Sequence, residues 1–237
     1  MPIKALATKD LPEFVFGLVA AVGTPLDFPT NLLVQGLQGR GYAAKPVRLS
    51  SYARAAKLDT PNPPDGADEY TRIRTLIKRG DELRQKAGRG DVLALLAVSD
   101  INAERLRAQD EPRTRNATNL RQLKHPDEVY SLREIYGDGF HLIGLYCPRK
   151  RRSEYLVVHN GMSPEQAKEL IELDEHELPE WGQKLRESFY LADVFIEIPE
   201  ADATHQVSVQ VERFLKLLFG QGIITPTRDE YGMFLAH

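Results

Sequence analysis

Ala20-Ala21-Val22-Gly23-Thr24-Pro25-Leu26-Asp27 is the stretch of this chain whose residue types and spacing come nearest to a chemistry that can be named. It follows a short apolar run, Phe14-Val15-Phe16-Gly17-Leu18-Val19, and precedes Leu32, Leu33 and Leu37 at helical spacing. A buried strand that enters a small-residue loop and opens a helix is the layout of a phosphate-binding loop, where backbone N–H groups and the helix dipole cradle an anion. The full pattern, G-x-x-x-x-G-K-[ST], adds a lysine on the β/γ-phosphates and a hydroxyl on magnesium. Aligned on Gly23-Thr24, this chain has Ala20 at the first glycine, Pro25 at the second, Leu26 at the lysine and Asp27 at the Ser/Thr. Leucine cannot neutralise phosphate charge, and proline removes an N–H donor. Ordinary ATP hydrolysis is therefore not expected, although the amides of Ala21, Val22, Gly23 and Thr24 could still hold an anion. A plain tight turn at Gly23 accounts for the same residues.

Further cations fall where they could assist. Arg121 and Lys124 follow a weak strand at the end where doubly wound sheets bind ligands. They are candidates for a triphosphate or base contact, or for ion pairs with Asp127 or Glu128. No acidic residue ends that strand to hold magnesium, which argues against phosphoryl transfer. The run Arg149-Lys150-Arg151-Arg152 is a candidate clamp for phosphates or an RNA backbone, and equally a solvated charge run. Arg72, Arg74, Lys78, Arg79 and Arg84 read as a solvated helix face. His125, His141, His159, His176, His205 and His237 show no metal-ligand spacing, and Cys147 reads as a buried inert thiol. Trp181 and the phenylalanines read as core or interface packing.

The elements that must position these residues follow from periodicity. Strands are expected near 14, 44 (Ala43 to Leu49), 118 (Ala117 to Leu123), 141 (Phe140 to Tyr146) and 195 (Val194 to Ile198). With helices between them they make an α/β fold: a five-stranded parallel sheet covered on both faces. The proline-rich stretch from Leu58 to Asp68 is a loop. Glu69 to Ala87, and Val92 to Arg107 behind an Asp91 N-cap, form a helical insertion at about 57–110. Arg105 to Arg115 reads as charged and flexible. Pro126 starts a helix stopped by Gly137, Ser163-Pro164-Glu165-Gln166 is a capping box, and Leu185 to Tyr190 is a further helix. Val207, Val211, Phe214, Leu215 and Leu218 mark a last one, and no element is placed in the tail from Ile223.

The chain has 237 residues, 42% hydrophobic and 27% charged, with a formal charge of −3. That balance argues against non-specific nucleic-acid binding by the whole molecule. No apolar run reaches the roughly 20 residues a membrane span needs, and the N-terminus lacks a signal-peptide core, so a cytoplasmic protein without membrane contact is expected. The single cysteine excludes an internal disulfide and any multi-cysteine zinc site.

Several stretches together carry a family likeness. They are Phe16 to Val19 with Val22-Gly23-Thr24; Asn119 to Val129 running on through Ile135-Tyr136-Gly137 to Tyr146; Ala192 to Ile196; and Pro226 to Ala236. This set resembles the N-terminal domain of bacterial anti-phage dCTP deaminases, of the deoxycytidylate/cytidine deaminase superfamily. The resemblance implies a P-loop-kinase-like domain at 1–225, and at 226–237 the start of a zinc deaminase domain covalently attached to it. Deaminase chemistry needs H-x-E and P-C-x-x-C. Here His176-Glu177 has the wrong spacing and Cys147-Pro148 has no second cysteine. This chain is thus expected to be a truncated, non-catalytic part, with zinc only in the missing domain. The expected role is a degenerate P-loop domain that senses a nucleotide, dCTP or ATP/GTP-like, with or without magnesium. It would contact that nucleotide through Ala21, Val22, Gly23, Thr24, Arg121, Lys124, Arg149, Arg151 and Arg152. A homo-oligomer and an inhibitory RNA or protein complete the expected partners. Two alternatives stay open: a kinase or NTPase in which Arg149 or Arg151 replaces the lysine, and a dead scaffold for oligomerisation or RNA contact.

Overall fold

The computed structural model describes residues 12–107, 115–175, 182–200 and 203–235. Strand β1 (Phe14–Ala20) leads through the Gly23 loop into helix α1 (Asp27–Gln38) and strand β2 (Ala43–Arg48). Helices α2 (Ser50–Ala55), α3 (Glu69–Ala87) and α4 (Val92–Arg107) form the insertion. The sheet resumes with β3 (Asn116–Arg121), α5 (Pro126–Tyr136) and β4 (Phe140–Tyr146). Then come α6 (Arg149–Val158), α7 (Pro164–Glu175), α8 (Leu185–Tyr190), β5 (Val194–Glu197), α9 (Ala203–Leu218) and α10 (Arg228–Leu235). Among the described residues the four strand pairings are all parallel, in the order β2-β3-β1-β4-β5. This is the α/β architecture expected from the sequence, a five-stranded parallel sheet with helices on both faces.

All seven residues of β1 are buried, as a central strand covered on both faces requires. Alternation splits the core. Phe16, Leu18 and Leu145 face Leu33 of α1 and Val211 and Leu215 of α9. Val15, Val19, Leu120 and Leu142 face Leu93 and Ala97 of α4 and Val129 and Leu132 of α5. A third cluster joins Val22 of the loop to Ile77 of α3, Leu156 of α6, and Leu170 and Ile171 of α7. This cluster clamps the loop between three helices on one side. Asn119, at the middle of β3, is fully buried, and both polar atoms of its amide lack a partner among the described residues.

Several expectations need correction. Arg79 and Arg84 are not on a solvated face; each is 2% exposed. Arg79 donates to the carbonyls of Ala53 (3.1 Å), Arg54 (3.4 Å), Ala56 (2.7 Å) and Thr60, and so ties the 56–68 loop to α3. Arg84 reaches Gly90 O, Asp81 and Glu128, each at 3.3 Å. The Asp91 backbone carbonyl accepts the first bond of α4 from Leu95, but its carboxylate turns to Arg89 and Ser131 instead of capping the helix. The Arg149 to Arg152 run is the first turn of a helix. The tail carries α10, started by Thr227 and Glu230, which bond each other's backbone N–H groups as a capping box does. Trp181, His176 and His237, with residues 108–114 of the charged stretch, lie outside the described residues.

Candidate functional site

The loop from Ala21 to Leu26 leaves the carboxyl end of β1 next to β3. The strand order reverses between those two strands, which is where open α/β sheets form a binding crevice. Gly23 has φ +83, which a side chain would strain, and a Cβ there would lie 2.8 Å from the carbonyl oxygen of Arg152. The glycine thus serves a left-handed turn packed against α6. Its neighbours' amides are engaged within the chain. Thr24 N–H bonds Ala21 O at 3.1 Å, and Val22 N–H bonds Asp174 Oδ2 at 2.7 Å. Asp174, at the end of α7, is fully buried. Its second oxygen accepts from Lys124 Nζ at 2.7 Å, and the same ammonium donates to Ala20 O at 2.8 Å. Arg152 Nη1 donates to Val22 O at 3.2 Å, and its Nη2 to Glu175 at 2.6 Å. A carboxylate of the chain itself therefore takes the Val22 amide, and a buried lysine neutralises it.

Beside the loop, a cleft of about 570 Å³ opens between the strand ends and α3. Its lining is cationic towards solvent. Arg121 bonds Asp27 at 2.7 Å; Arg48 is 3.7 Å from the same carboxylate; Arg72 holds Glu69 through two 2.7 Å bonds. The Arg72 guanidinium keeps the Glu69 carboxyl below its ordinary range. Arg54, exposed on α2, lines the cleft and forms no ion pair among the described residues. Ile73, Ile77, Leu49 and Leu156 supply apolar walls. Tyr155, whose ring lies tilted against that of His159 at 4.9 Å between centroids, has its hydroxyl pKa raised by burial. The buried Thr24 Oγ1 and Gln183 Oε1 line the same cleft and meet no hydrogen-bond partner among the described residues. Gln122 lies at the carboxyl end of β3 with φ +68, uncommon for a residue with a side chain, and also lines the cleft.

The structure brings some of the expected residues together and separates others. Val22, Gly23, Thr24, Arg121 and Lys124 share the cleft, with Ala21 in the loop above it. Arg121 and Lys124 pair with Asp27 and Asp174, not with Asp127 or Glu128. Glu128 instead accepts the Lys124 and His125 backbone amides at 2.7 and 3.0 Å. Arg149 pairs with Glu175 at 3.0 Å, and Arg151 donates to the carbonyls of Pro199 and Glu200. These two arginines lie outside the cleft lining. Sequence reasoning missed Asp174, Arg48, Arg54 and Gln183. A carboxylate that meets the loop 152 positions away leaves no local pattern to find.

A magnesium-bound nucleotide of the ordinary kind does not fit these residues. Leu26, at the lysine position, is in the core, and the Asp27 carboxylate faces two arginines. Zinc does not fit either, because among the described residues no group of three or more His, Cys, Asp or Glu could hold a metal. Cys147 is buried, and burial pushes its thiol up. No helix among the described residues is long and apolar enough to cross a membrane.

No family model and no curated protein matches the chain. Among solved structures it is similar to a shikimate kinase from Bacteroides thetaiotaomicron, with 13% identity over 86% of this chain and 98% of that one, at a TM-score of 0.47. A shikimate kinase from Acinetobacter baumannii in complex with shikimate gives 10% identity over 90% and 96%, at 0.44. A gluconokinase from Sinorhizobium meliloti gives 12% over 91% and 100%, at 0.42. The architecture itself rests on the parallel sheet and its strand order.

Proposed function

We propose that this chain is a nucleotide-sensing regulatory domain that holds a phosphorylated ligand in the arginine-lined cleft, transfers nothing, and controls an attached deoxycytidine nucleotide deaminase. The observation that carries the binding part is the Asp174 carboxylate on the Val22 amide. With the Val22 amide already satisfied by an internal anion, the positive charge left to a ligand lies on the cleft wall, at Arg54, which forms no ion pair among the described residues, and at Arg48, which is 3.7 Å from Asp27. Those side chains suit a phosphate, because guanidinium groups meet phosphate oxygens in pairs. The absence of transfer is supported by Leu26 at the lysine position and by the pairing of Lys124 with Asp174, which leaves no unpaired lysine among the described residues of the cleft. The deaminase part is supported by the sequence resemblance alone.

Isothermal titration of the chain with dCTP, ATP and GTP, with and without magnesium, is the test, with product analysis of each mixture. The expected result is binding without turnover, weakened about 10- to 100-fold by Arg54→Ala, the range for one charge-assisted contact. Turnover of any of these nucleotides by the unaltered chain would replace this reading with a kinase or NTPase, and no binding of any nucleotide would leave a scaffold. The deaminase part is tested on the gene, by reading past the codon for His237 for H-x-E and P-C-x-x-C. Their absence would remove it.

A further inference from the structure

The two ends of the cleft differ in chemistry, and the difference bears on what the ligand carries besides phosphate. Towards solvent the walls hold arginines, of which Arg54 forms no ion pair among the described residues and Arg48 reaches Asp27 only at 3.7 Å. Among the buried lining residues, beside the cations Lys124 and Arg84, which are paired with Asp174 and Glu128, stand two neutral polar groups, Thr24 Oγ1 and Gln183 Oε1. Both residues are 7% exposed and neither atom has a hydrogen-bond partner among the described residues. A buried polar atom without a partner is costly, and native structures keep few of them. An amide oxygen can only accept, so Gln183 Oε1 calls for an N–H or O–H donor, while the Thr24 hydroxyl can donate or accept. Between the two ends, Ile77, Leu49 and Leu156 offer apolar surface of the kind that holds a flat ring.

We infer that the buried end of the cleft recognises an amino-bearing nucleobase: its exocyclic N–H donates to Gln183 Oε1, with the ring against Ile77 and Leu156 and the 5′-phosphates at Arg48 and Arg54. This rests on the proposed nucleotide binding and adds the identity of the base edge. A site with a buried acceptor rejects an analogue whose matching atom also accepts, because two lone pairs then face each other without water.

The test compares dCTP with dUTP, which differ at the base only in the replacement of the 4-amino donor and the adjacent ring nitrogen by a carbonyl and an N–H. Inorganic tripolyphosphate serves as the probe of the phosphate end. Titration calorimetry of the full chain is expected to show dCTP binding at least tenfold tighter than dUTP. Gln183→Leu should bring the two within threefold of each other, and Thr24→Val should lower dCTP affinity. Each variant is first checked for an unchanged unfolding transition. Equal affinity of the unaltered chain for dCTP and dUTP, with both still weakened by Arg54→Ala, would overturn this inference and leave nucleotide binding standing. Failure of dCTP, dUTP and tripolyphosphate alike to bind would overturn both.

Discussion

Asp174 and Lys124 form a buried ion pair at 2.7 Å whose outer contacts are the Val22 amide and the Ala20 carbonyl. Removing one partner of such a pair leaves an uncompensated charge in the interior, which costs about 3–5 kcal/mol. Lys124→Met and Asp174→Asn are each expected to lose that much in urea unfolding. The double variant should lose less than the sum by more than about 1 kcal/mol, because the second change removes the charge that the first exposed. Additive losses would mean that the two side chains do not act as a unit. Asp81, 3.3 Å from Arg84, behaves differently: burial outweighs the arginine and lifts its carboxyl from 3.8 to about 6, with Asp174 adding repulsion. The folded chain then keeps a proton that the unfolded chain has released between those values. Stability from this group is full below pH 3.8 and falls as pH rises towards 6, by roughly 3 kcal/mol in all. Asp81→Asn should therefore raise stability at pH 7 by about 1–3 kcal/mol, flatten that window, and leave Arg84 its bond to Glu128. Burial lowers His125 and His141, which pulls stability the opposite way as pH falls below the ordinary histidine range. The comparison is therefore made variant against parent at each pH. A parent and variant with parallel profiles would sink the prediction.

At the scale of elements, the insertion depends on one side chain. Arg79 on α3 donates to carbonyls at the end of α2 and along the loop that follows, with no carboxylate among the partners described. Arg79→Leu keeps the bulk and leaves those carbonyls without donors. The expected outcome is a loss of about 2–4 kcal/mol and protease cleavage within 56–68 at a rate far above the parent's. A variant whose loop stays resistant would mean that the proline-rich stretch orders itself. Helices α3 and α4 are legible because Tyr70, Ile73, Leu76 and Ile77, and the apolar residues from Val92, repeat at helical spacing. Arg79 and Arg84 read as solvated because arginine is rarely buried, and only the carbonyls of distant residues explain why these two are. Helix α6 is hidden for a related reason. Its first turn is Arg149 to Arg152, and its buried face begins only with Arg152 and Leu156. The strands are legible because burial on both faces demands continuous apolar runs in β1 and β4. By contrast the arrangement of the loop depends on Asp174, Arg152 and Lys124, which arrive from three separate segments.

Over the whole molecule, the net charge of −3 conceals an uneven distribution. Around the cleft, Arg48, Arg54, Arg72 and Arg121 face two carboxylates, Asp27 and Glu69, so an anion approaches an acidic protein through a positive opening. Such an arrangement raises the association rate of anionic ligands and weakens as salt shortens the Debye length from about 10 Å at 0.1 M to 3 Å at 1 M. Binding to the folded state alone also stabilises it, by about 2.7 kcal/mol at a hundredfold excess over Kd. For a chain of this length that corresponds to a rise in Tm of roughly 5–10 °C. A thermal melt with dCTP at hundredfold Kd is therefore expected to show that rise at low salt. At the same nucleotide concentration it should shrink severalfold in 1 M NaCl, and also on Arg54→Ala at low salt. The cleft lies against the third core cluster, which joins α3, α6 and α7 to the loop, so ligand and fold stabilise the same contacts. A shift of that size unaffected by salt or by Arg54 would place the ligand somewhere other than the arginine-lined cleft.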